Sequence, residues 1–161
     1  MRIGNPRFRT RLFLASLAAA VASVLVAAAL VAYQAREGQR AGIEARLVND
    51  ALLIADLLSR SNVSGTRAVD EEADPLGRFV EGRVTLVAAD GRVVGDSTQA
   101  LAALPTLDNH GNRPEIIEAG ERGRGVARRY STTIDTDLLY VAVPTAHPDV
   151  AFVRLALPLA A

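Results

Sequence analysis

Between Leu12 and Tyr33 the chain reads LFLASLAAAVASVLVAAALVAY, 22 residues without a single charge. At about 1.5 Å rise per residue, a helix of that length reaches about 33 Å, close to the roughly 30 Å hydrocarbon core of a bilayer. Backbone groups in lipid must bond within their own segment, so the stretch is expected to be a transmembrane helix. Tyr33 stands where an interfacial aromatic anchors such a span. Arg2, Arg7, Arg9 and Arg11 precede it with no acid among the first 35 residues, whereas Arg36 and Glu37 offset each other after it. This asymmetry predicts a cytoplasmic basic tail over residues 1–11, a span over 12–33 and everything from residue 34 onward outside. A cleaved signal peptide is the competing reading. Ala27-Ala28-Ala29 fits a small-residue cleavage pattern, but the apolar run exceeds the h-region of about 7–15 residues that such peptides use.

The formal net charge is zero, and every one of the 18 basic residues is Arg. Setting aside the four Arg of the tail leaves 14 against 18 acids, a mildly acidic remainder that gives no support for nucleic-acid binding. The absence of cysteine rules out disulfides, thiolate metal sites and a Cys nucleophile. Two His without a neighbouring acidic cluster argue against a metal site, and no cofactor motif is present.

From residue 36 to 60 the chain carries Ile43, Leu47, Ala51, Ile54 and Leu58 on one side and Arg40, Glu44, Arg46, Asn49, Asp50 and Asp56 on the other. The spacing predicts an amphipathic helix continuing from the span. Its apolar stripe packs on its own domain, forms a parallel dimer seam, or does both. Residues 61–75 are rich in Ser, Gly, Thr and acid and read as a surface loop, with Asp70, Glu71, Glu72 and Asp74 as a solvated run. From residue 82 the pattern turns to strands: Arg83–Ala88, the Asp90-Gly91 turn, and Arg92–Asp96 returning. Residues 97–107 lead away from the sheet. Pro114 in a first turn, Glu115 at the positive end of the dipole, and Gly120 and Gly123 beyond predict a helix from Asn112 to Ala119. Strands are expected over 125–133, 137–144 and 150–157, with turns at Asp135-Thr136-Asp137 and His147-Pro148-Asp149. The fold class is therefore α+β. A transmembrane helix runs into a long amphipathic helix, and a PAS-like or Cache-like domain over 34–158 follows, with a five-stranded antiparallel sheet over 82–157.

Catalysis finds no residues to carry it. There is no P-loop, no nucleotide lid and no Gly-x-Ser-x-Gly elbow. His110 is followed by Gly111 and His147 by Pro148, so neither stands before the Glu or Asp that follows a phosphoaccepting His. Gly120–Gly125 lacks the strand-then-helix context and the Lys of a phosphate cradle.

The segment Leu107-Asp108-Asn109-His110-Gly111-Asn112-Arg113-Pro114-Glu115-Ile116 is the most specific feature. Gly123 and Gly125 follow, then Arg129-Tyr130-Ser131, then Tyr140-Val141-Ala142-Val143-Pro144. The combination, spread over residues 10–158, resembles the extracytoplasmic sensor region of phosphate-regulon-type sensor histidine kinases. The resemblance implies a bacterial inner-membrane protein, a homodimer, an extracytoplasmic ligand or partner protein, and a response regulator engaged through a kinase part. Residues 159–161 then approach a second span. The alternatives are another output, such as a diguanylate cyclase or chemoreceptor, and a stand-alone anchored binding or scaffold domain.

For the site, a planar guanidinium at Arg113 suits Glu115 or an anionic ligand. Asn109, His110, Arg113 and Glu115 are candidates either for ligand binding or for a structural knot that pins the middle segment to the sheet. Asn109 would cap backbone N–H groups and His110 would bond a carbonyl. Arg128, Tyr130 and Tyr140 are further pocket candidates. Strand alternation sets Arg129 on the face opposite Arg128 and Tyr130.

Overall fold

The computed structural model describes residues 6–131 and 136–159. In chain order the elements are α1 (Pro6–Arg60), α2 (Thr66–Val80), β1 (Arg83–Val87), β2 (Val93–Asp96), a 3-10 turn (Leu101–Thr106), α3 (Pro114–Arg122), β3 (Gly125–Ser131), β4 (Thr136–Pro144) and β5 (Phe152–Pro158). This is the expected α+β architecture. The chain divides into two compact units, Met1–Gly42 and Ile43–Ala161.

In the first unit, the Thr10–Gln34 part of α1 is long and apolar enough to cross a membrane. Leu12, Phe13, Val24 and Val31 all stand exposed along it. The Ser16 and Ser23 hydroxyls donate to the carbonyls of Leu12 and Ala19, one turn back, at 2.9 and 2.8 Å. Both hydroxyls are thus satisfied inside the helix, as a lipid environment would demand.

The second unit is built on one antiparallel sheet in the order β2-β1-β5-β4-β3. The last strand of the chain is the central one: β5 pairs β1 on one side, with Leu86 opposite Val153, and β4 on the other, with Val141 opposite Leu155. Alternation sends Val84, Leu86, Leu139, Val141, Val153 and Leu155 to one face. There they pack with Leu47, Ala51, Ile54 and Leu58 of α1 and with Val69, Ala73 and Val80 of α2. Burying a side chain of the size of Leu or Val contributes roughly 1.5–3 kcal/mol relative to leaving it in water, so this face anchors the unit. The opposite face carries Val87 and Ala142, which meet Ile116 and Ala119 of α3 in a smaller cluster, with Phe152 against it. That second cluster covers only part of the face; the remainder is open to the site described below.

The expected loop over 61–75 is corrected by α2, which begins at Thr66 and runs through Pro75. Val69, Ala73, Gly77 and Val80 recur at helical spacing and are its buried positions. The acidic run and the proline obscured that stripe. The run also has a structural duty, because Asp70 Oδ1 accepts the backbone N–H of Asp96 at 3.0 Å. The third expected strand is β3 as far as Ser131, and its residues 132 and 133 lie outside the described residues, as does Asp135. Thr136 and Asp137, expected in a turn, already pair with Ser131 and Tyr130 as the start of β4. The last strand opens at Phe152, two residues later than expected, because Ala151 donates its N–H across to Val87 before regular pairing begins.

Candidate functional site

Helix α3 begins at Pro114, where a missing N–H costs nothing, and Arg113 is its extended N-cap residue. The next residue, Glu115, is fully buried and points at the sheet. Its carboxylate accepts from Arg129 of β3 through both terminal nitrogens, at 2.8 and 3.1 Å, and from Arg154 Nε of β5 at 2.8 Å. Tyr140 stands on β4 between those two strands, and the guanidiniums of Arg129 and Arg154 lie 4.2 and 4.3 Å from its ring centroid. Burial opposes charge on both partners: it pulls the pKa of Arg154 down and works to raise that of Glu115. Backbone donation and the two Arg nonetheless hold the Glu115 carboxyl below its ordinary value, so the cluster is an ionised one.

Gly125 makes the arrangement possible. A Cβ there would overlap the carbonyl oxygen of Glu115 and crowd the Ala119 nitrogen, so only a residue without one lets α3 lie this close to β3.

Beside this cluster a cavity of about 650 Å³ opens on the sheet face. Arg83 of β1, Arg129 of β3, Arg154 of β5 and Arg113 at the cap of α3 line it, and Tyr140, Leu138, Ala156 and Pro158 supply an apolar wall. Arg83 is itself bound to the buried Asp96, with Nε 2.9 and 3.1 Å from the two carboxylate oxygens. His110 also lines the cavity and is 8% exposed. Burial, and then the charges of Arg154, Arg113 and Arg83, lower its pKa to about 4, so the imidazole is neutral at physiological pH. Two buried nitrogens of residues that line this cavity, His110 Nδ1 and Arg113 Nε, have no hydrogen-bond partner among the described residues. No group of three or more His, Cys, Asp or Glu suited to a metal ion occurs among the described residues.

The candidates from the sequence separate into three groups. Asn109 meets the β1–β2 turn: its Nδ2 donates to the Asp90 carbonyl at 2.8 Å, and its Oδ1 accepts the Gly111 N–H at 2.8 Å. Next to it, the backbone N–H of His110 donates to the Gly91 carbonyl at 2.8 Å. His110, Arg113 and Tyr140 line the cavity, with Glu115 holding Arg129 and Arg154 behind it. Arg128 and Tyr130 face the other way: Arg128 pairs with Glu44 of α1 at 2.9 Å and Tyr130 is 58% exposed.

Two expectations are thereby corrected. The partner of Glu115 is not Arg113, whose extended N-cap backbone sends its guanidinium toward Asp108, 3.5 Å away. The strand residue in the cavity is Arg129, not Arg128 or Tyr130, because alternation gives the α3 side to the odd residues of β3. Arg83, Arg129 and Arg154 were the residues missed. For Arg154 a signal existed, since a lone charge inside the apolar run Phe152–Pro158 must find a buried partner.

A family model described as Single Cache-like matches residues 39–156. The chain belongs to the single Cache-like family. Among solved structures, this Cache-like chain is similar to the ligand-binding domain of the Pseudomonas aeruginosa PAO1 amino acid chemoreceptor PctC in complex with GABA, with a TM-score of 0.56 and 15% identity over 71% of this chain. It is also similar to the E. coli DcuS sensor domain, with a TM-score of 0.52, 15% identity and coverage of 71% of this chain and 90% of that one. An extracellular ligand binding receptor from Desulfohalobium retbaense matches with a TM-score of 0.52 and 13% identity over 72% of this chain. The chain spans 50% of the PctC chain and 24% of the Desulfohalobium one. At these identities the likeness is one of fold. No curated protein sequence matches the chain.

Proposed function

We propose that this chain is the extracytoplasmic input domain of a membrane-bound sensor histidine kinase, with its N-terminus in the cytoplasm. The observation that carries the reading is the Cache-like match over residues 39–156 on a chain whose Thr10–Gln34 segment is long and apolar enough for a membrane span. The resemblance of the Asn109–Glu115 and Tyr140–Pro144 segments to phosphate-regulon-type kinases supports the narrower class. Leu52, Leu53 and Leu57 of α1 are about half exposed and offer a seam for a homodimer. In this reading a small molecule in the sheet-face cavity, or a partner protein, binds two packings of the dimer unequally. Its effect is limited to that difference in affinity.

A chemoreceptor input is the second reading, favoured by the fold shared with the PctC domain. The reading frame downstream of Ala161 separates them. A second apolar span followed by a helix with a His-Glu pair and an ATP-binding core is expected. A methyl-accepting coiled coil or a cyclase core there would overturn the kinase reading. A stop codon would favour a stand-alone anchored binding domain.

A further inference from the structure

Strand β3 is tied to two helices on opposite faces of the sheet by two guanidiniums that follow each other in sequence. On the α3 side it is held at three points. Gly125 lies against the Glu115 carbonyl, where no Cβ would fit. The Val126 N–H donates to Glu118 Oε2 at 3.1 Å, and Arg129 binds the Glu115 carboxylate at 2.8 and 3.1 Å. On the other face Arg128 pairs with Glu44 of α1 at 2.9 Å, across 84 residues of sequence. Alternation along the strand is what sends consecutive side chains to opposite faces. Two further features fit β3 to move with α3. It is an edge strand, paired with β4 on one side, whereas β5, which brings Arg154 to the same carboxylate, is paired with both β1 and β4. A strand held on one side yields to a shift of α3 more readily than one held on both. The far end of the chain of contacts is equally loose. Residues 43–46 of α1 are exposed or half-buried, and Leu47 is the first buried residue of that helix in the unit.

From this geometry we infer that β3 is the lever by which a displacement of α3 reaches α1. Its input contacts are Glu115–Arg129 and Glu118–Val126, and its output contact is Arg128–Glu44. The two states it distinguishes are the first turn of α1 in the unit tied to β3, and the same turn released. The side chains of the output pair are 47% and 36% exposed, so solvent weakens their attraction and limits the coupling to about fivefold. The inference deepens the sensor reading, from which it takes only the assignment of α1 as the helix that carries the signal.

The test is a double-mutant cycle on the full chain in detergent micelles, followed by amide hydrogen exchange. Glu118→Ala, on α3, removes the acceptor of the Val126 N–H, and Arg128→Gln removes the output pair. Each variant alone is expected to speed exchange at residues 44–47 by about two- to fivefold, and the two together to go no further than one. Arg60→Gln breaks the exposed Arg60–Asp56 pair elsewhere on α1 and should leave the response to Glu118→Ala intact. Exchanging the charges, with Glu44→Arg and Arg128→Glu in one chain, should restore both the parent rate and that response. The exchanged chain keeps the question answerable where a single variant folds poorly. Four results would each overturn the inference: exchange at 44–47 that ignores Glu118→Ala, effects of the two variants that multiply, loss of the response in Arg60→Gln, or an exchanged chain as fast as Arg128→Gln. None of them depends on the reading frame beyond Ala161, so failure here and failure of the kinase reading are told apart.

Discussion

At the residue scale, Glu115 and His110 have opposite reasons to be buried. Glu115 is buried because it has partners. Replacing it with Ala leaves Arg154, 5% exposed, with no carboxylate beside it. Breaking a buried pair from one side costs about 3–5 kcal/mol, so Glu115→Ala should lower the urea midpoint by a corresponding amount. His110 is buried without a partner for Nδ1, and its pKa is lowered to about 4 from 6.5, first by burial and then by the three Arg. In the unfolded chain it takes up a proton near pH 6.5; in the folded chain it resists until about pH 4. The unfolded state therefore binds more protons between those values, and stability falls as pH drops through that window. The slope for one proton is at most about 1.4 kcal/mol per pH unit. Glu115, whose folded pKa is below 4.5, adds its own loss only below that value. Unfolding curves between pH 7 and 4.5 should thus slope in the parent chain and flatten in His110→Asn.

At the element scale, most of the fold was legible and much of the site was not. The periodicity of Leu47, Ala51, Ile54 and Leu58, the Asp90-Gly91 turn and Pro114 all carry local signals, and α1 and the β1–β2 hairpin stand where those signals put them; α3, expected over Asn112–Ala119, instead starts at Pro114 and runs through Gly120 to Arg122, with only Gly123 ending it. Helix α2 was missed because Pro75 and four acids lie within a stripe of small buried residues, Ala73 and Gly77 among them. The site depends on register between strands distant in sequence, which no local pattern reports. Alternation along β3 distinguished Arg129 from Arg128, but nothing local said which face would meet α3. Gly125 shows the same dependence: its need is set by the Glu115 carbonyl, ten residues earlier. Gly125→Ala should force β3 and α3 apart and cost about 1–3 kcal/mol, the range of overpacking in a tight core. Thermal unfolding checks this, and Gly38→Ala, where a Cβ meets nothing within 4 Å, is the control.

At the scale of the whole molecule, anchor and sensor unit make separate predictions. If residues 1–11 are cytoplasmic, alkaline phosphatase fused after Ala161 should be active and a fluorescent protein fused there dark; the reverse result would invert the topology. The sensor unit carries a different consequence, from the position of β5 at the middle of the sheet. Until Phe152–Pro158 is in place, β1–β2 and β3–β4 are two unconnected hairpins, and an isolated hairpin is marginal at best in water. Within the sheet, the closing strand is also the last to be made. The unit must therefore wait for its own C-terminal end, and a chain cut after Pro144 should be degraded while one cut after Leu159 persists. A sheet closed by its final strand is a checkpoint on synthesis: the cavity, with Arg154 as one wall, comes into being only in chains that have been made to the end of the sheet.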